Sequence, residues 1–338
     1  MNIKEVAAKA GVSITTVSRV MNMPEKVNSQ TRAKVVAVME ELNYTPNWFA
    51  RNIQTTRTNQ IGVVITEMLE ESNMKVAKGI ESIAKKNDAN LIICSTGYDR
   101  EAEKEIIDSL IDRNIDGLIL VNTMLHKSEL KRIRGRKIPI VLIGKPDYVI
   151  NENIVYTNYD AAAEEVVDYL FENKRRRIAL LLAKNQTAVN KEKLAGYRKS
   201  LEKHGITYDA EIVLETDYSI EGGYISTAKL LESSLKVDAI FAANDTLAFG
   251  VIEKLNQEGL TSEDIAVIGY DNLEAGAVIS PKLTTVIKPS YRMGLTACRL
   301  LFDIIEADSS VEAQAIMLHS KLKIRKSCGN KERIREIW

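Results

Sequence analysis

Eight short apolar runs, interleaved with amphipathic stretches, restrict what this chain can fold into. "IGVVI" at 61–65, "LIIC" at 91–94, "GLILV" at 117–121 and "IVLI" at 140–143 form one series. "IALLL" at 178–182, "EIVL" at 211–214, "AIFAA" at 239–243 and "IAVIG" at 265–269 form a second. Between them lie stretches of helical periodicity at 74–87, 101–113, 159–173, 191–204, 221–233 and 245–258. Runs of four to five aliphatic residues read as strands buried on both faces. Their alternation with helices implies parallel sheets covered by helices on both sides. Four strands and then four more predict two similar lobes, joined near "YTNYD" at 156–160. "LTTVIKPSYRMGLTACRLLFDII" supplies a further strand and a long helix.

Residues 1–60 carry a different pattern. The chain is 338 residues long, more than one simple core needs. Its charge is balanced, 46 basic residues against 46 acidic. The first 60 residues hold eight basic (Lys4, Lys9, Arg19, Lys26, Arg32, Lys34, Arg51, Arg57) and four acidic (Glu5, Glu25, Glu40, Glu41). That head is +4 and the remainder −4, a basic segment on an acidic body, which fits nucleic-acid contact at one end.

Helix signals in the head are local and ordered. Asn2 with Glu5 has the spacing of a capping box, and "IKEVAAKA" runs to Gly11, suited to a helix end. Ser13 can cap a second helix over about 14–21, and Asn28 a third over about 29–42, with apolar Val35, Val36, Val38, Met39 and Leu42. Two short helices joined by a glycine-containing turn, then a third, make a helix-turn-helix. The second helix is built from poor helix formers, "ITTVSRVMN". At about 100° per residue from Ile14, residues Thr15, Ser18, Arg19 and Asn22 fall on one arc between about 40° and 140°. Val17 and Val20 fall opposite and can close on Val6, Ala7 and Ala10. Short hydroxyls and a guanidinium on one face suit the major groove, where Arg takes guanine O6 and N7 and methyls meet thymine.

"IKEVAAKAGVSITTVSRVMN", "VNSQTRAKVVAVMEELNYTPNWFAR" and "TNQIGVVI" together resemble the lactose-repressor (LacI) family of bacterial regulators, and the resemblance continues to about residue 326. It implies a helix-turn-helix DNA-binding domain (1–45), a hinge helix and linker (46–60) and an effector-binding and dimerisation core (61–338). The core is expected to resemble periplasmic binding proteins, with one lobe of about 61–157 and 288–319 and another of about 158–287 and 320–326. Crossings near 157, 287 and 320 would connect them around a small-molecule cleft. The resemblance assigns Ile14, Thr15 and Arg19 to the bases, with Ser13, Ser18 and Asn22 on or near phosphate. "TPNWFARNIQ" is similar to the family's hinge helix, which lies against the minor groove, and Asn47, Ala50, Arg51 and Ile53 are its DNA-facing candidates. Ile53 stands where the family usually has Leu, an apolar wedge of similar volume branched at Cβ.

Open α/β sheets bind ligands at the carboxyl ends of their strands, where this sequence places Tyr98, Asp99, Lys145, Tyr156, Tyr218, Asn244, Asp245 and Asp271. The resemblance carries effector contact to Asn244 in "AAND", Asp271 in "GYDN", Tyr218 in "TDYS", Tyr156 at the crossover and Lys193 in "KEKLAGY". Tyr98 and Lys145 complete the candidates. Asn244 and Asp245 could equally cap the next helix, with Asp245 the preferred cap. Lys193 stands where sugar-binding relatives usually have Arg and cannot repeat its bidentate geometry. "VLIGKP" at 141–146 resembles oligosaccharide-responsive members, so a sugar or sugar derivative is the expected ligand.

Other function classes fit less well. His126, His204 and His319 have no metal-ligand spacing, and Cys94, Cys298 and Cys328 are scattered. No nucleophile elbow, Walker A or dinucleotide fingerprint is present, so neither catalysis nor a cofactor is expected. The start lacks a secretory h-region and no run of about 18 apolar residues occurs, so a cytoplasmic protein is expected. The expected activity is that of a repressor controlled by a small molecule, binding a pseudo-palindromic operator as a homodimer. Two alternatives stand: a global carbon-catabolite-type regulator controlled by a phosphoprotein partner, and a soluble sugar-binding protein, which would leave the head unused.

Overall fold

A computed structural model describes residues 2–42, 44, 57–68, 70–146, 151–184, 188–307 and 312–329. The chain forms two compact units, Met1–Asn59 and Gln60–Trp338.

In the first unit, helices α1 (Ile3–Ala10), α2 (Ile14–Asn22) and α3 (Ser29–Glu41) surround a small core. Asn2 starts α1 by accepting from the amides of Lys4 and Glu5 at 3.0 and 3.1 Å. Gly11 ends it in the left-handed region, φ 62°, with its amide turned back onto α1. Ser13 Oγ then accepts from the Thr16 amide at 3.1 Å and starts α2. Val6, Ala7, Ala10, Val17, Val20 and Val35 are buried together. Three caps and this core hold a backbone that α2's own propensity would not. Val36, expected among the apolar residues of α3, is 40% exposed, and Val35 takes the core position.

The second unit is built on two sheets. The first contains β1 (Gln60–Ile65), β2 (Asn90–Ser95), β3 (Gly117–Val121), β4 (Ile140–Ile143) and β5 (Asn153–Tyr156). The second contains β6 (Ile178–Ala183), β7 (Val213–Thr216), β8 (Ala239–Ala242), β9 (Ala266–Tyr270) and β10 (Thr284–Ile287). Two three-residue strands complete them, β11 (Ala315–Met317) on the first and β12 (Lys321–Lys323) on the second. The orders are β11-β5-β4-β3-β1-β2 and β12-β10-β9-β8-β6-β7, with only β12 antiparallel to its neighbour. Strands β3, β6, β8 and β9 are buried along their whole length, as sheets covered on both faces require.

Helices α4 (Glu71–Ala84), α5 (Arg100–Asp112) and α6 (Lys127–Arg134) follow β1, β2 and β3. Helices α7 (Tyr159–Glu172), α8 (Ala188–Lys203), α9 (Ile220–Glu232) and α10 (Asp245–Gln257) alternate with the second set of strands. Helix α11 (Ser290–Glu306) follows β10 but packs on β3, β4 and β5 of the first sheet. The chain therefore passes between the sheets after β5, after β10 and between β11 and β12. Thr157 Oγ1 and Ser320 Oγ, 2.9 Å apart, tie two of these passages together.

Helices α4 and α11 meet backbone to backbone. A Cβ on Gly79 would stand 2.1 Å from the Tyr291 carbonyl oxygen, and one on Gly294 2.0 Å from that of Val76. No side chain fits at either place. The strand expected at 211–214 starts only at Val213, because Asp209 caps a 3₁₀ turn over Ala210–Ile212. Among the described residues no helix is long and apolar enough to cross a membrane.

Candidate functional site

The first unit presents one polar face. Val17 and Val20 turn α2 inward, which leaves Ser13, Ile14, Thr15 and Arg19 exposed and Ser18 half-buried. Ile14 is 42% exposed, unusual for a large aliphatic side chain on a three-helix core. Ser13 spends its hydroxyl on the cap and on Thr16 Oγ1, 2.9 Å away. Asn22 is the last residue of α2, and its side chain lies outside what the structure describes. Asn47, Ala50, Arg51 and Ile53 lie outside the described residues. The exposed set is a methyl-bearing, hydroxyl-bearing and guanidinium-bearing helix face, the chemistry of major-groove readout.

In the second unit, the carboxyl ends of the parallel strands form the walls of a cleft between the lobes. Lys75 on α4 donates to the Asn272 carbonyl at 3.3 Å, and Lys145 after β4 pairs with Glu192 on α8 at 3.4 Å, so both contacts span the cleft. Three of the sequence candidates come together at its centre. The Tyr98 hydroxyl donates to the Glu70 carboxylate. Tyr218 is about a third exposed (36%), and its hydroxyl donates to Asn190. Burial, with Asp271 and Glu70 nearby, pushes its pKa well above the usual tyrosine value. Asp271 follows β9 with φ 102°, a left-handed conformation unusual for a residue with a side chain.

That strained turn is held from behind. Asp245 accepts from Thr285 Oγ1 at 2.5 Å and from the Leu273 amide at 2.7 Å. Arg325 donates to Asn272 Oδ1 at 2.9 Å and to the Leu283 carbonyl at 2.7 Å. Burial pushes the Asp245 carboxyl up to about 7, against the hydrogen bond from Thr285. Asp245 is thus not the cap of α10. Asn244 is, its Oδ1 accepting from the Leu247 amide at 2.8 Å, because the extended backbone at 244 aims its side chain over the first turn.

The remaining candidates stand beneath the centre or at its edge. Lys193 is only 3% exposed, and its ammonium donates to the Ala243 carbonyl at 2.5 Å beneath the wall. Burial lowers its pKa to about 8. Lys145 stands over the Tyr156 ring at 5.5 Å, a pair at the cleft's edge beside the first passage. Asp99 caps α5, accepting from Glu101 and Ala102 amides.

Sequence reasoning passed over Glu70, Lys288, Tyr159 and Asn190. Glu70 stands just ahead of α4, and burial raises its pKa while Tyr98 and Lys288 oppose the rise. Lys288 sits at the second passage; burial favours its neutral form, but Tyr159, Asp271 and Glu70 outweigh it and hold its pKa above the ordinary lysine value. Asn190 receives the Tyr218 hydroxyl at 3.4 Å and donates to the Ala183 carbonyl at 3.0 Å. The available signal was position: all four lie beside strand ends or passages between the sheets.

Comparison with known proteins matches both units. The signature of bacterial regulatory proteins of the lacI family covers residues 2–47, and a periplasmic binding protein-like domain covers 167–328. The transcriptional repressor PurR of Vibrio atlanticus is 32% identical over 323 residues, covering 95% of this chain and 96% of its own. The chain belongs to the LacI family of bacterial regulators. Another LacI-family relative, catabolite control protein A of Priestia megaterium, is 29% identical over 329 residues, 97% of this chain and 99% of its own. The lac repressor dimer bound to operator and the anti-inducer ONPF superposes with a TM-score of 0.86 at 26% identity, covering 97% of this chain and 99% of that one. As a LacI-family regulator the chain pairs a helix-turn-helix head with an α/β body built for a small molecule.

Proposed function

We propose that this LacI-family protein is a cytoplasmic, non-catalytic repressor that binds a pseudo-palindromic operator as a homodimer under control of a small-molecule effector, a sugar or sugar derivative. The observation that carries the reading is the split of α2 into a buried Val17–Val20 side and an exposed Ile14–Thr15–Arg19 side. One such helix covers too little DNA for specificity, so two-fold pairing reads two half-sites. Apolar side chains left exposed on both lobes, Met74 and Ile93 on the first and Ile220 and Ile225 on the second, support a partner subunit.

The cleft supports the effector. Tyr98 and Tyr218 offer aromatic faces and hydroxyls, and Asp271 a carboxylate, the mixture that holds a polyhydroxyl ring. Effector binding shifts the population between lobe arrangements, and the dimer transmits that shift to the DNA-binding heads. Similarity to catabolite control protein A supports a second reading, in which a phosphoprotein partner supplies the control.

The test is operator selection with the full-length protein, followed by fluorescence anisotropy with and without a sugar panel, and light scattering for the assembly. Specific binding by a dimer that a sugar modulates is the expected result. Modulation by a phosphorylated protein alone would favour the second reading, and a monomer without sequence preference would refute both.

A further inference from the structure

The turn that carries Asp271 is strained and tied from several directions. Asp271 and Asn272 follow one another with φ 102° and 54°, side-chain-bearing residues in a region that favours glycine. Such backbone persists only where its surroundings over-determine it. Three successive amides and the Asn272 side chain all have partners. The Asp271 amide donates to the Val286 carbonyl at 2.9 Å, the Asn272 amide to Thr285 Oγ1 at 3.3 Å and the Leu273 amide to Asp245 at 2.7 Å. The Asn272 carbonyl accepts from Lys75 of the opposite lobe at 3.3 Å, and its Oδ1 accepts from Arg325 at 2.9 Å.

Arg325 differs from the other partners in where it comes from. Asp245, Thr285 and Val286 belong to α10 and β10, whereas Arg325 lies two residues beyond β12, just after the chain has crossed between the lobes for the third time. Its backbone is fixed there. The Arg325 amide donates to Thr284 Oγ1 at 2.8 Å, and Ser327 Oγ, two residues on, donates to the Val267 carbonyl of β9 at 2.6 Å. The guanidinium is half-buried and is spent on two neutral oxygens, Asn272 Oδ1 and the Leu283 carbonyl at 2.7 Å. A planar fork bonded through both of its ends fixes direction in a way that a single ammonium cannot.

We propose that Arg325 is a positioning residue of the effector site: from the segment beyond the third passage it sets Asn272, and through Asn272 the direction of the Asp271 carboxylate. This rests on reading Asp271 as an effector contact. A ligand that draws on Asp271 then loads the chain beyond that passage as well as Lys75 on α4, so one turn links the ligand wall to both lobes.

The experiment uses the full-length protein. Hydrogen–deuterium exchange by mass spectrometry follows peptides across 271–273 in wild type, Arg325→Met, Asn272→Gly and the double variant. Arg325→Met should speed exchange of the turn about tenfold, the scale of one charged hydrogen bond, with peptides of β6 and β8 unchanged. Glycine at 272 removes both the acceptor and the strain, so in that background Arg325→Met should leave the turn's rate within about twofold. A merely structural Arg325 would speed the turn equally in both backgrounds, or speed β9 and β10 along with it. Either result, or an unchanged turn in folded Arg325→Met, would overturn the inference. Where Arg325→Met fails to fold, Arg325→Lys, which keeps the charge without the fork, carries the same comparison with a smaller acceleration expected. Titration calorimetry with D-ribose and cellobiose then reads the ligand. A probe that binds wild type should bind Arg325→Met about tenfold more weakly, and equal affinity would overturn the positioning of Asp271. Binding of neither probe would count against the sugar reading alone, with the exchange ratios still deciding for or against Arg325.

Discussion

The ammonium of Lys193 lies 3.9 Å from the centre of the Tyr270 ring, and both side chains are buried. A lysine so placed is held by a ring face and one carbonyl, without a carboxylate in contact among the described residues, and burial lowers its pKa to about 8 from 10.5. The folded chain therefore binds fewer protons than the unfolded chain between pH 8 and 10.5, and stability rises with pH across that window. Wild type should gain about 3 kcal/mol over Lys193→Met between those limits, with the penalty at its full size below pH 8. Urea unfolding of both proteins at several pH values checks it; a flat difference would mean that the charge is solvated.

Asp245 has the opposite sign of dependence. Its carboxyl, pushed up to about 7 from 3.8, binds a proton more tightly in the folded chain. Its contribution is thus most favourable below pH 4 and is lost as pH rises to 7. Relative to Asp245→Asn, wild type should lose about 4 kcal/mol over that range and then level off. Thermal melts across pH 4–8 measure the difference, and wild type gaining with pH would contradict the buried geometry.

Arg19 is exposed on the face of α2 opposite Val17 and Val20. Arg19→Ala should cost about 1–3 kcal/mol in operator binding and relax base preference at one position of each half-site. Equal weakening toward all sequences, measured by anisotropy on an operator library, would assign Arg19 to phosphate.

Gly294 leaves no room for a side chain against the Val76 carbonyl. Gly294→Ala must separate α4 from α11 and should cost about 3 kcal/mol, the upper end for overpacking. Chemical denaturation reports it, and a cost below about 0.5 kcal/mol, the range of neutral surface changes, would show that the helices slide apart freely.

The long aliphatic runs made the two parallel sheets legible, because strands buried on both faces have little compositional freedom. Shorter pieces were not legible. Strands β11 and β12 have three residues each, exist through pairing with β5 and β10, and carry no periodicity of their own. Helix α6 has eight residues, of which only Leu130 and Ile133 are buried. In the cleft, types and strand-end positions pointed to Tyr98, Tyr218 and Asp271. Nothing local distinguishes Asn244 from Asp245 as the cap, since the choice rests on the contacts of Asp245 with Thr285, 40 residues away. Glu70 is hidden for a related reason: it lies in an acidic stretch that also reads as a solvated helix start.

The contact of Gly79 with Tyr291 and of Gly294 with Val76 also orders events in time. The first sheet begins at Gln60, yet the face it shares with α4 is not fully covered until α11, Ser290–Glu306, has arrived. Strands β6 to β10 and helices α7 to α10 lie in one uninterrupted stretch between. As the chain emerges from the ribosome, the second lobe has nearly all its parts before the first can close. The lobe that begins first must wait while most of the second lobe is made, and until then it exposes the apolar surface on which α11 will dock.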